Sequence, residues 1–411
     1  MRAEIIATGT ELLCGGVLDT NSLSLSDDLL LMGIELVFKT VVGDNEKDME
    51  DAVRTALNRT NIVIVMGGLG TTEDDITRKV VAKIIKKRLV LHEEALKVIQ
   101  DRLSSRGIKI INTHDRQALI PSGARLLSNP VGIAPGFYLD EEDKFIAVLP
   151  GVPREMQAMF QEELKPVMEE RFGKRVFIRK RILHTCGIPE SMLDQSIQDI
   201  IRKDPSAIGL TAKDAGVDVR IIARGTTQEQ AQTGLEKIET SIREKLRDAV
   251  YAEDEQEMEE VVGALLKQRR LSLAVAESCT GGLICKRITN IPGSSEYFGR
   301  GAVVYDNQAK TDMLGVPAAV IEQHGAVSPE TAAAMAKGIR EMAHADLGLS
   351  VTGIAGPGGG TDKKPVGLVY MGLASAQGVK THEYRFLGGR EQIRVRASQM
   401  ALDMVRRHLI E

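Results

Sequence analysis

The alternation of short apolar runs with helical segments constrains this chain most, because glycine-rich or polar loops follow the apolar runs. Residues 3–8, 34–42 and 61–66 are predicted strands, with predicted helices at 21–32 and 46–59 between them. Strand–helix–strand units at this spacing require right-handed crossovers and a parallel sheet. Glycine, 39 of 411 residues, clusters at the predicted strand ends, where such sheets bind ligands. The pattern predicts an α/β protein.

The pattern changes twice along the chain, which predicts three domains. A small α+β stretch follows the first α/β region and contains a predicted strand–turn–strand at residues 208–223. We interpret acidic residues 253–260 as a solvated linker that enters a helix, since acidic side chains are favourable at helix N-termini. An acidic interaction tract is the alternative. The predicted domains are residues 1–171, 172–252 and 255–411.

Apolar periodicity and capping residues place the remaining elements. Further strands are predicted at residues 145–149, 176–183, 271–276, 302–304, 347–352, 366–373 and 381–386. Further helices are predicted at residues 154–171, from 189 onward, and at 228–247, 281–290, 329–343 and 390–411. Glycine-rich and polar motifs follow several of these strands, so we expect the chemistry at strand ends.

Composition excludes several classes of protein. The 53 basic and 57 acidic residues give a net charge of −4, and aromatic residues are 3% with no Trp. The chain thus lacks both the positive field and the stacking platforms that nucleic-acid binding uses. No apolar run approaches the roughly 18 residues of a membrane helix, and the start is typical of a first strand rather than a signal peptide. We expect a cytoplasmic protein without membrane or nucleic-acid partners.

Cysteine and histidine placement gives no sign of a disulfide framework or a zinc site. Cys14, Cys186, Cys279 and Cys285 are few and scattered, and no CxxC pair occurs among them. The seven histidines include no HExxH motif. We therefore expect these residues to be ordinary surface or packing residues.

Three loops in the first domain suggest a nucleotide site at the carboxyl edge of the sheet. Glycines that follow a strand let backbone N–H groups approach a phosphate. The candidate binding residues are Gly9, Thr10, Glu11, Asn21, Gly67, Gly68, Gly70 and Asp74. Asp75 is the candidate metal ligand, with Glu11 as its partner, because carboxylates suit hard divalent cations. The alternative is a tight turn capped by acidic residues where a helix begins at Ile76.

Ser278 is the candidate nucleophile of the third domain. It lies between a predicted strand and a predicted helix, where a sharp turn exposes a serine and aims helix N–H groups at its target. Lys310 with a pKa lowered by burial is the candidate base, and Tyr305 orients or relays the proton. Cys279 is a rival nucleophile, although no histidine is placed to ionise it. The alternative is a turn whose small residues permit close packing.

Two further loops of the third domain offer groups for an anion. The glycine-rich segment at residues 352–360 follows a buried strand and forms a cradle, with Gly353, Ala355 and Gly356 as candidate binding residues. Arg390 and Arg394 lie one turn apart at a helix start, which favours an anion between them. A phosphomonoester is the natural ligand. A solvated basic face is the alternative.

The motifs of the first domain resemble the molybdopterin-binding fold found in the N-terminal half of the competence/damage-inducible CinA family. They are GTELL (9–13), DTN (19–21), VVGD (41–44), GGLG (67–70) with DDIT (74–77), NPVG (129–132), APGF (134–137) and LPGVPREM (149–156). The resemblance implies a three-layer domain with pyrophosphatase activity on ADP-ribose-like nucleotides, dependent on Mg²⁺, Co²⁺ or Ni²⁺ and on K⁺.

Four positions of the first domain depart from the usual pattern of that family. Met66 and Ile133 stand where threonine is usual, Thr71 stands where proline is usual, and Arg116 stands in place of a lysine. The first two changes replace hydroxyl groups with apolar groups that cannot donate to a phosphate oxygen. We therefore expect this domain to bind nucleotides and to turn them over weakly or not at all.

The motifs of the third domain resemble the nicotinamide-nucleotide amidase domain that forms the C-terminal half of the CinA family. They are AESCTGG (276–282), YDN (305–307) with Lys310, GAVS (325–328), TGIAGPGGG (352–360), KPVG (364–367) and FLGGR (386–390) with Arg394. The resemblance implies hydrolysis of nicotinamide mononucleotide to nicotinate mononucleotide and ammonia in pyridine nucleotide recycling. Ser278 would attack, Lys310 would shuttle the proton, and N–H groups around Thr280 and Gly281 would stabilise the oxyanion.

The resemblance also sets the remaining expectations. The amidase step needs no cofactor, small-molecule nucleotides are the partners, and we expect a homodimer. The connector resembles a KH module in its order of elements, yet it shows no clear basic GxxG loop, so RNA binding is not expected. The alternative functions are the N-terminal ADP-ribose pyrophosphatase and a non-catalytic nucleotide-binding protein of the competence or damage response.

Overall fold

The computed structural model describes residues 1–105, 107, 112–141, 143–173 and 176–411. Two compact units account for the chain: residues 1–179 with 224–234, and residues 180–223 with 235–411. Among the described residues, no helix combines the length and the apolar character needed to cross a membrane.

The first region contains a mixed sheet and flanking helices. Its strands are β1 (Arg2–Thr8), β2 (Glu35–Val42), β3 (Ile62–Met66), β4 (Leu89–Leu91), β5 (Leu119–Pro121), β6 (Arg125–Leu127), β7 (Gly136–Glu141) and β8 (Lys144–Leu149). Its helices are α1 (Thr10–Leu13), α2 (Asn21–Leu31), α3 (Glu46–Arg59), α4 (Thr77–Ile84), α5 (Glu93–Ser105), α6 (Asn112–Asp115), α7 (Pro153–Met159) and α8 (Lys165–Phe172). A π-helical turn, Phe160–Leu164, joins α7 to α8.

The main sheet of this region has the strand order β2-β1-β3-β8-β7-β6. Alternate residues of β3 enter two different cores: Ile62 and Ile64 pack on the side of α2, and Val63 and Val65 pack on the side of α3. Helices therefore cover both faces, which confirms the predicted three-layer arrangement. The sheet is only partly parallel, however. The predicted strands β1, β2, β3 and β8 pair in parallel, as expected, whereas β7 runs antiparallel to β8 and β6 antiparallel to β7, and neither of these two strands was predicted.

The connector is a small α+β region with an antiparallel sheet. Its elements are β9 (Phe177–Thr185), α9 (Glu190–Ile201), β10 (Ile208–Lys213), β11 (Gly216–Gly225), α10 (Gln228–Leu246) and β12 (Val250–Glu253). The strand order is β10-β11-β9-β12. Lys213 pairs with Gly216 across the predicted turn, which confirms the strand–turn–strand. The acidic residues that follow lead into the next helix, where Glu257 and Glu260 form a capping box.

The third region is a second α/β layer structure. Its helices are α11 (Met258–Arg269), α12 (Leu283–Thr289), α13 (Asn307–Leu314), α14 (Ala318–His324), α15 (Pro329–Ala343) and α16 (Arg390–Ile410). Its strands are β13 (Leu273–Glu277), β14 (Phe298–Val303), β15 (Leu347–Gly353), β16 (Leu368–Ser375) and β17 (Gly378–Arg385). The strand order is β14-β13-β15-β16-β17.

Three parallel neighbours in this sheet position the chemistry. β13 pairs in parallel with both β14 and β15, so the carboxyl ends of all three strands meet at one edge. Ser278 follows β13, the residues around Tyr305 follow β14, and the glycine-rich loop follows β15. Parallel pairing therefore gathers motifs that are up to 80 residues apart in sequence at one sheet edge.

Candidate active site

A sharp turn presents Ser278 at the end of β13. The Ser278 N–H donates to Val351 O at 2.9 Å, which fixes the residue at the sheet edge. Gly281 (φ +61°) and Gly282 (φ +92°) then adopt positive φ, a conformation that favours glycine. These two glycines let the chain reverse into α12 within five residues, and Ser278 remains 7% exposed.

Lys310 lies beside Ser278 in a buried position. Its Nζ is 3.3 Å from Ser278 Oγ, and the side chain is 1% exposed. Three backbone carbonyls surround the same nitrogen, namely Val304 O at 2.9 Å, Tyr305 O at 3.2 Å and Asp306 O at 3.2 Å. α13 holds Lys310 in place, and it begins where Asp306 Oδ1 accepts from the N–H of Ala309 at 2.7 Å.

Burial makes Lys310 a suitable proton acceptor. Removal from water lowers the pKa of Lys310 below its ordinary value of 10.5, with an opposing contribution from the Asp306 carboxylate. A neutral lysine amine has two N–H donors and one lone pair. Two of the surrounding carbonyls can take the donors, which leaves the lone pair for the Ser278 hydroxyl.

The backbone N–H groups that could stabilise an oxyanion differ in part from those predicted around Thr280 and Gly281. The Gly281 N–H donates to Ser278 O at 3.1 Å within the turn, so it is already engaged. Within the described part of the chain, the N–H groups of Cys279 and Thr280 donate to no backbone carbonyl. The Thr280 hydroxyl is buried and has no hydrogen-bond partner there either. Donors at Cys279 and Thr280 are therefore available to a reacting carbonyl oxygen.

Cys279 is a poor rival to Ser278 as nucleophile. Its side chain is buried, and burial raises the pKa of the thiol to about 12. The thiolate is the reactive form of cysteine, so this thiol is inert near neutral pH.

The two arginines of the third domain have different surroundings. Arg390 is exposed and donates to Gly356 O at 2.7 Å and to Tyr305 Oη at 2.9 Å. Arg394 is half-buried and donates through Nε and Nη2 to Thr280 O, at 3.2 and 2.9 Å, and through Nη1 to Glu391. Arg394 thus holds the turn at residues 278–282, which is called the nucleophile turn below because it carries the candidate nucleophile Ser278. Arg390 lies at the surface, where its charge is available to a ligand.

Tyr305 occupies a different position from the one expected of a proton relay. The side chain is 59% exposed and its hydroxyl accepts from Arg390. Its backbone carbonyl, not its hydroxyl, contacts Lys310 Nζ.

The glycine-rich loop is held at both ends. Gly353 ends β15, Ala355 is buried, and Gly356 O accepts from Arg390. Lys364 Nζ, at the far end, donates to His324 O and Val327 O, each at 2.7 Å. The loop is therefore fixed to the residues that precede α15.

A cavity of about 700 Å³ opens at the carboxyl edge of the first domain's sheet. Of the residues expected to bind a nucleotide or metal there, those that line it are Gly9, Glu11, Asn21, Gly67, Gly68, Gly70, Asp74 and Asp75. Thr10 is not among the lining residues; its N–H and hydroxyl donate to Asp44, each at 2.9 Å. Met66 and Ile133 also line the cavity, so two departures from the family pattern lie where a ligand would sit.

Two buried acceptors of this cavity have no hydrogen-bond partner among the residues that the structure describes. Asn21 is the first residue of α2. Asn21 donates to Gly151 O at 2.8 Å, which leaves its Oδ1 buried without a hydrogen bond. Gln117 Oε1 is also buried and has no hydrogen-bond partner among the described residues. Both oxygens can therefore accept a hydrogen bond from a ligand.

The carboxylate of Asp75, the predicted metal ligand, is engaged within its own loop. Asp75 Oδ2 accepts from the Thr72 N–H and hydroxyl at 2.8 and 2.6 Å. Over the described ranges, no group of three or more His, Cys, Asp or Glu side chains is placed to hold a metal ion. The role of Asp75 as a metal ligand stays a prediction.

Sequence reasoning missed two charged residues that shape the sites. Glu277 is fully buried beside Ser278. The sequence signal that could have identified it is a charged residue at the end of an otherwise apolar strand. Arg78 is buried and donates to Leu69 O and Gly70 O at 2.7 and 2.8 Å, and burial lowers the pKa of its guanidinium to about 10. Its sequence position on α4 gave no such signal.

Three family models match consecutive parts of the chain. A probable molybdopterin binding domain matches residues 4–170, a damage-inducible protein CinA KH domain matches residues 180–252, and a CinA C-terminal domain matches residues 255–409. The first region is thus molybdopterin-binding-like, the connector KH-like and the third region an α/β CinA domain, as predicted.

Relatives are similar over the full length. A competence-damage inducible protein of Caldicellulosiruptor bescii is 44% identical over 413 residues, covering 100% of both chains. A CinA-like protein of Dictyoglomus thermophilum is 43% identical, again over 100% of both. Among solved structures, a competence/damage inducible protein of Agrobacterium tumefaciens is 42% identical with a TM-score of 0.37, covering 38% of this chain and 94% of that one.

Proposed function

The chain belongs to the CinA family, and we propose that its C-terminal domain is a nicotinamide-nucleotide amidase. The reaction is hydrolysis of nicotinamide mononucleotide to nicotinate mononucleotide and ammonia. The observation that carries this proposal is the buried lysine amine 3.3 Å from a serine hydroxyl at the end of a parallel strand. A serine with an adjacent base is the arrangement that acyl transfer from an amide requires.

The proposed reaction has two halves. Ser278 Oγ attacks the carboxamide carbon while Lys310 Nζ takes the hydroxyl proton, and the carbonyl oxygen becomes an oxyanion near the N–H groups of Cys279 and Thr280. Lys310 then gives the proton to the departing nitrogen. Ammonia is released, and the acyl group stays bound to Ser278 Oγ as an ester. In the second half Lys310 accepts a proton from water, and the oxygen of that water attacks the ester carbonyl. The bond to Ser278 Oγ then breaks, Lys310 returns the proton to Ser278 Oγ, and the acid is released. The positive pyridinium of the substrate makes its carbonyl more electrophilic.

Arg390 is the proposed ligand of the substrate phosphate. It lies at the start of α16, is exposed, and is held by Gly356 O and Tyr305 Oη beside the glycine-rich loop. A guanidinium at a helix N-terminus is joined there by backbone N–H groups that also favour an anion. Arg394 is committed to Thr280 O and contributes less to the phosphate.

A covalent intermediate tests this proposal. Enzyme and nicotinamide mononucleotide are mixed and quenched in acid within the first turnovers, and the digested protein is analysed by mass spectrometry. A nicotinate-mononucleotide ester on the peptide that contains Ser278, together with ammonia and nicotinate mononucleotide in solution, is expected. Product formation with the adduct on Cys279, or no product, would contradict it.

The N-terminal cavity supports a second candidate function, the binding of an ADP-ribose-like nucleotide. The supporting observation is the pair of unpartnered buried acceptors, Asn21 Oδ1 and Gln117 Oε1, beside the Gly67–Gly70 backbone. Calorimetry with ADP-ribose and the Asn21→Ala variant tests it. Weaker binding by the variant is expected, and equal binding would place the nucleotide elsewhere.

A further inference from the structure

Glu277 is an unusual residue for its position. It is the last residue of β13, directly before the nucleophile, and its exposed fraction is 0%. The other residues of β13 are apolar and buried. Burying a carboxylate is costly unless hydrogen bonds compensate for the lost water, so the contacts of this side chain are informative.

Three backbone N–H groups of the following turn and helix compensate the Glu277 carboxylate. Oε2 accepts from Gly282 at 2.9 Å and from Ile284 at 3.1 Å, and Oε1 accepts from Cys285 at 2.8 Å. The side chain thus reaches across the nucleophile turn and takes the first free donors of α12. Residues 278–281 consequently form a closed loop, because the Glu277 side chain, which precedes them, accepts hydrogen bonds from the residues that follow them.

This loop contains every backbone group that the proposed attack uses. Ser278 carries the nucleophile, and the unengaged N–H groups of Cys279 and Thr280 follow it directly. Arg394 holds the opposite side of the same loop through Thr280 O. Glu277 occupies the N–H groups of Gly282, Ile284 and Cys285, and Thr280 O accepts from the Leu283 N–H at 3.3 Å. These donors at the start of α12 are therefore engaged and do not compete for the oxyanion.

We propose that Glu277 is a positioning residue for the nucleophile turn, an inference that rests on the amidase function proposed above. Its carboxylate fixes the direction of the Ser278 hydroxyl toward Lys310 and of the Cys279 and Thr280 N–H groups toward the oxyanion. Glu277 takes no proton in the reaction, since both of its oxygens face backbone N–H groups. Its effect is on geometry alone.

The test compares Glu277→Gln, Glu277→Asp and the matched control Glu259→Gln. Glu259 is also a buried carboxylate of this domain, and it pairs with Arg287 at 2.6 Å rather than with the nucleophile turn. A glutamine presents an amide N–H₂ group to one of the three N–H donors, so we expect kcat for ammonia release to fall about 100-fold with KM within about threefold. Glu277→Asp keeps the charge and should recover part of kcat. Glu259→Gln should leave kcat near the wild-type value.

A second readout separates this inference from the choice of substrate. A fluorophosphonate reagent labels a serine that has a base and oxyanion donors, whatever its natural substrate, and intact-protein mass gives the rate. Slower labelling in Glu277→Gln than in Glu259→Gln, with unchanged melting temperature, supports the positioning role even if nicotinamide mononucleotide is not hydrolysed. Equal labelling, equal kcat, or no labelling of Ser278 in the wild type would overturn it.

Discussion

Lys310 Nζ lies 3.3 Å from Ser278 Oγ, although the two residues are 32 positions apart and belong to different helix–strand junctions. Parallel pairing of β13 with β14 brings the junctions together, and burial keeps water away from the amine. The pair therefore has the geometry that the proposed nucleophile and base require.

Replacing the base should abolish most of the activity and leave the fold intact. We expect Lys310→Met to lower kcat about 100- to 10,000-fold, the usual contribution of a positioned general base. Ammonia release and the melting temperature of the variant measure both properties. Lys337→Met, at an exposed lysine that pairs with Glu341, is the control and should have wild-type kcat. A folded Lys310→Met protein with near-normal turnover would remove Lys310 from the mechanism.

The pH dependence follows from the same amine. Burial lowers the pKa of Lys310, and only the neutral amine accepts a proton, so kcat should rise with pH through that lowered pKa and then level off below 10.5. A rate that falls with rising pH over this range would contradict the assignment.

The substrate phosphate should matter through Arg390. A charge-assisted hydrogen bond contributes about 1.5–3 kcal/mol, so nicotinamide riboside, which has no phosphate, should lose at least about tenfold in kcat/KM. Arg390→Ala should lower kcat/KM for the mononucleotide and leave the riboside value nearly unchanged. Arg385→Ala removes an exposed arginine that pairs with Glu383 on β17 and serves as the control. Equal kcat/KM for riboside and mononucleotide would defeat this role.

His184 should make the stability of the second unit depend on pH. Its Nδ1 is 2.6 Å from Asp218 Oδ1 and its Nε2 is 2.6 Å from Asp254 O. Both neighbours only accept hydrogen bonds, so both ring nitrogens donate, and the hydrogen bond to Asp218 raises the pKa of His184 above 6.5. This stabilisation is fully present below pH 6.5 and is lost as pH rises through the raised pKa.

Thermal unfolding of His184→Gln at a series of pH values tests that expectation. Its melting temperature should lie furthest below the wild type at pH 5.5, and the gap should narrow toward alkaline pH. His382→Gln, at an exposed histidine of β17, is the control and should lower the melting temperature less than His184→Gln at pH 5.5. A gap that widens with pH would mean that His184 is neutral in the folded protein.

The N-terminal domain should bind ADP-ribose and hydrolyse it slowly. Met66 and Ile133 line the cavity with apolar groups, and phosphoanhydride cleavage depends on charge stabilisation by polar groups. AMP release with Mg²⁺, Co²⁺ or Ni²⁺ and added K⁺ measures turnover, and Met66→Thr with Ile133→Thr should raise it. Ser278→Ala should not change it. Vigorous wild-type turnover that disappears in Asp75→Ala would show that the departures are harmless and that Asp75 is essential.

Local signals were enough to predict many elements. α3 begins and ends where predicted because the Asn45 side chain caps it and Val53 and Ala56 face the core. α15 follows Ser328, whose hydroxyl accepts from Thr331 N. The Ser278–Lys310 pair was also a hypothesis from sequence, since both residues follow strands.

The parts that could not be predicted depend on contacts between distant segments. α13, which carries Lys310, has eight residues and two buried positions, too short a pattern to recognise. The three carbonyls around Lys310 Nζ and the three N–H groups around Glu277 exist only once the turns have folded. The antiparallel strand β6 has only three residues, and residues 128–135, which join it to β7, belong to no helix or strand.

Ammonia release from nicotinamide mononucleotide by wild type, Ser278→Ala and Cys279→Ala tests the central proposal most directly. The two variants change adjacent residues of one turn, so loss of fold would affect both. The account predicts that Ser278→Ala loses about three orders of magnitude or more in kcat, and that Cys279→Ala, which removes an un-ionised thiol, keeps most of it. Near-wild-type ammonia release by a folded Ser278→Ala protein, or none by the wild type, would contradict the account.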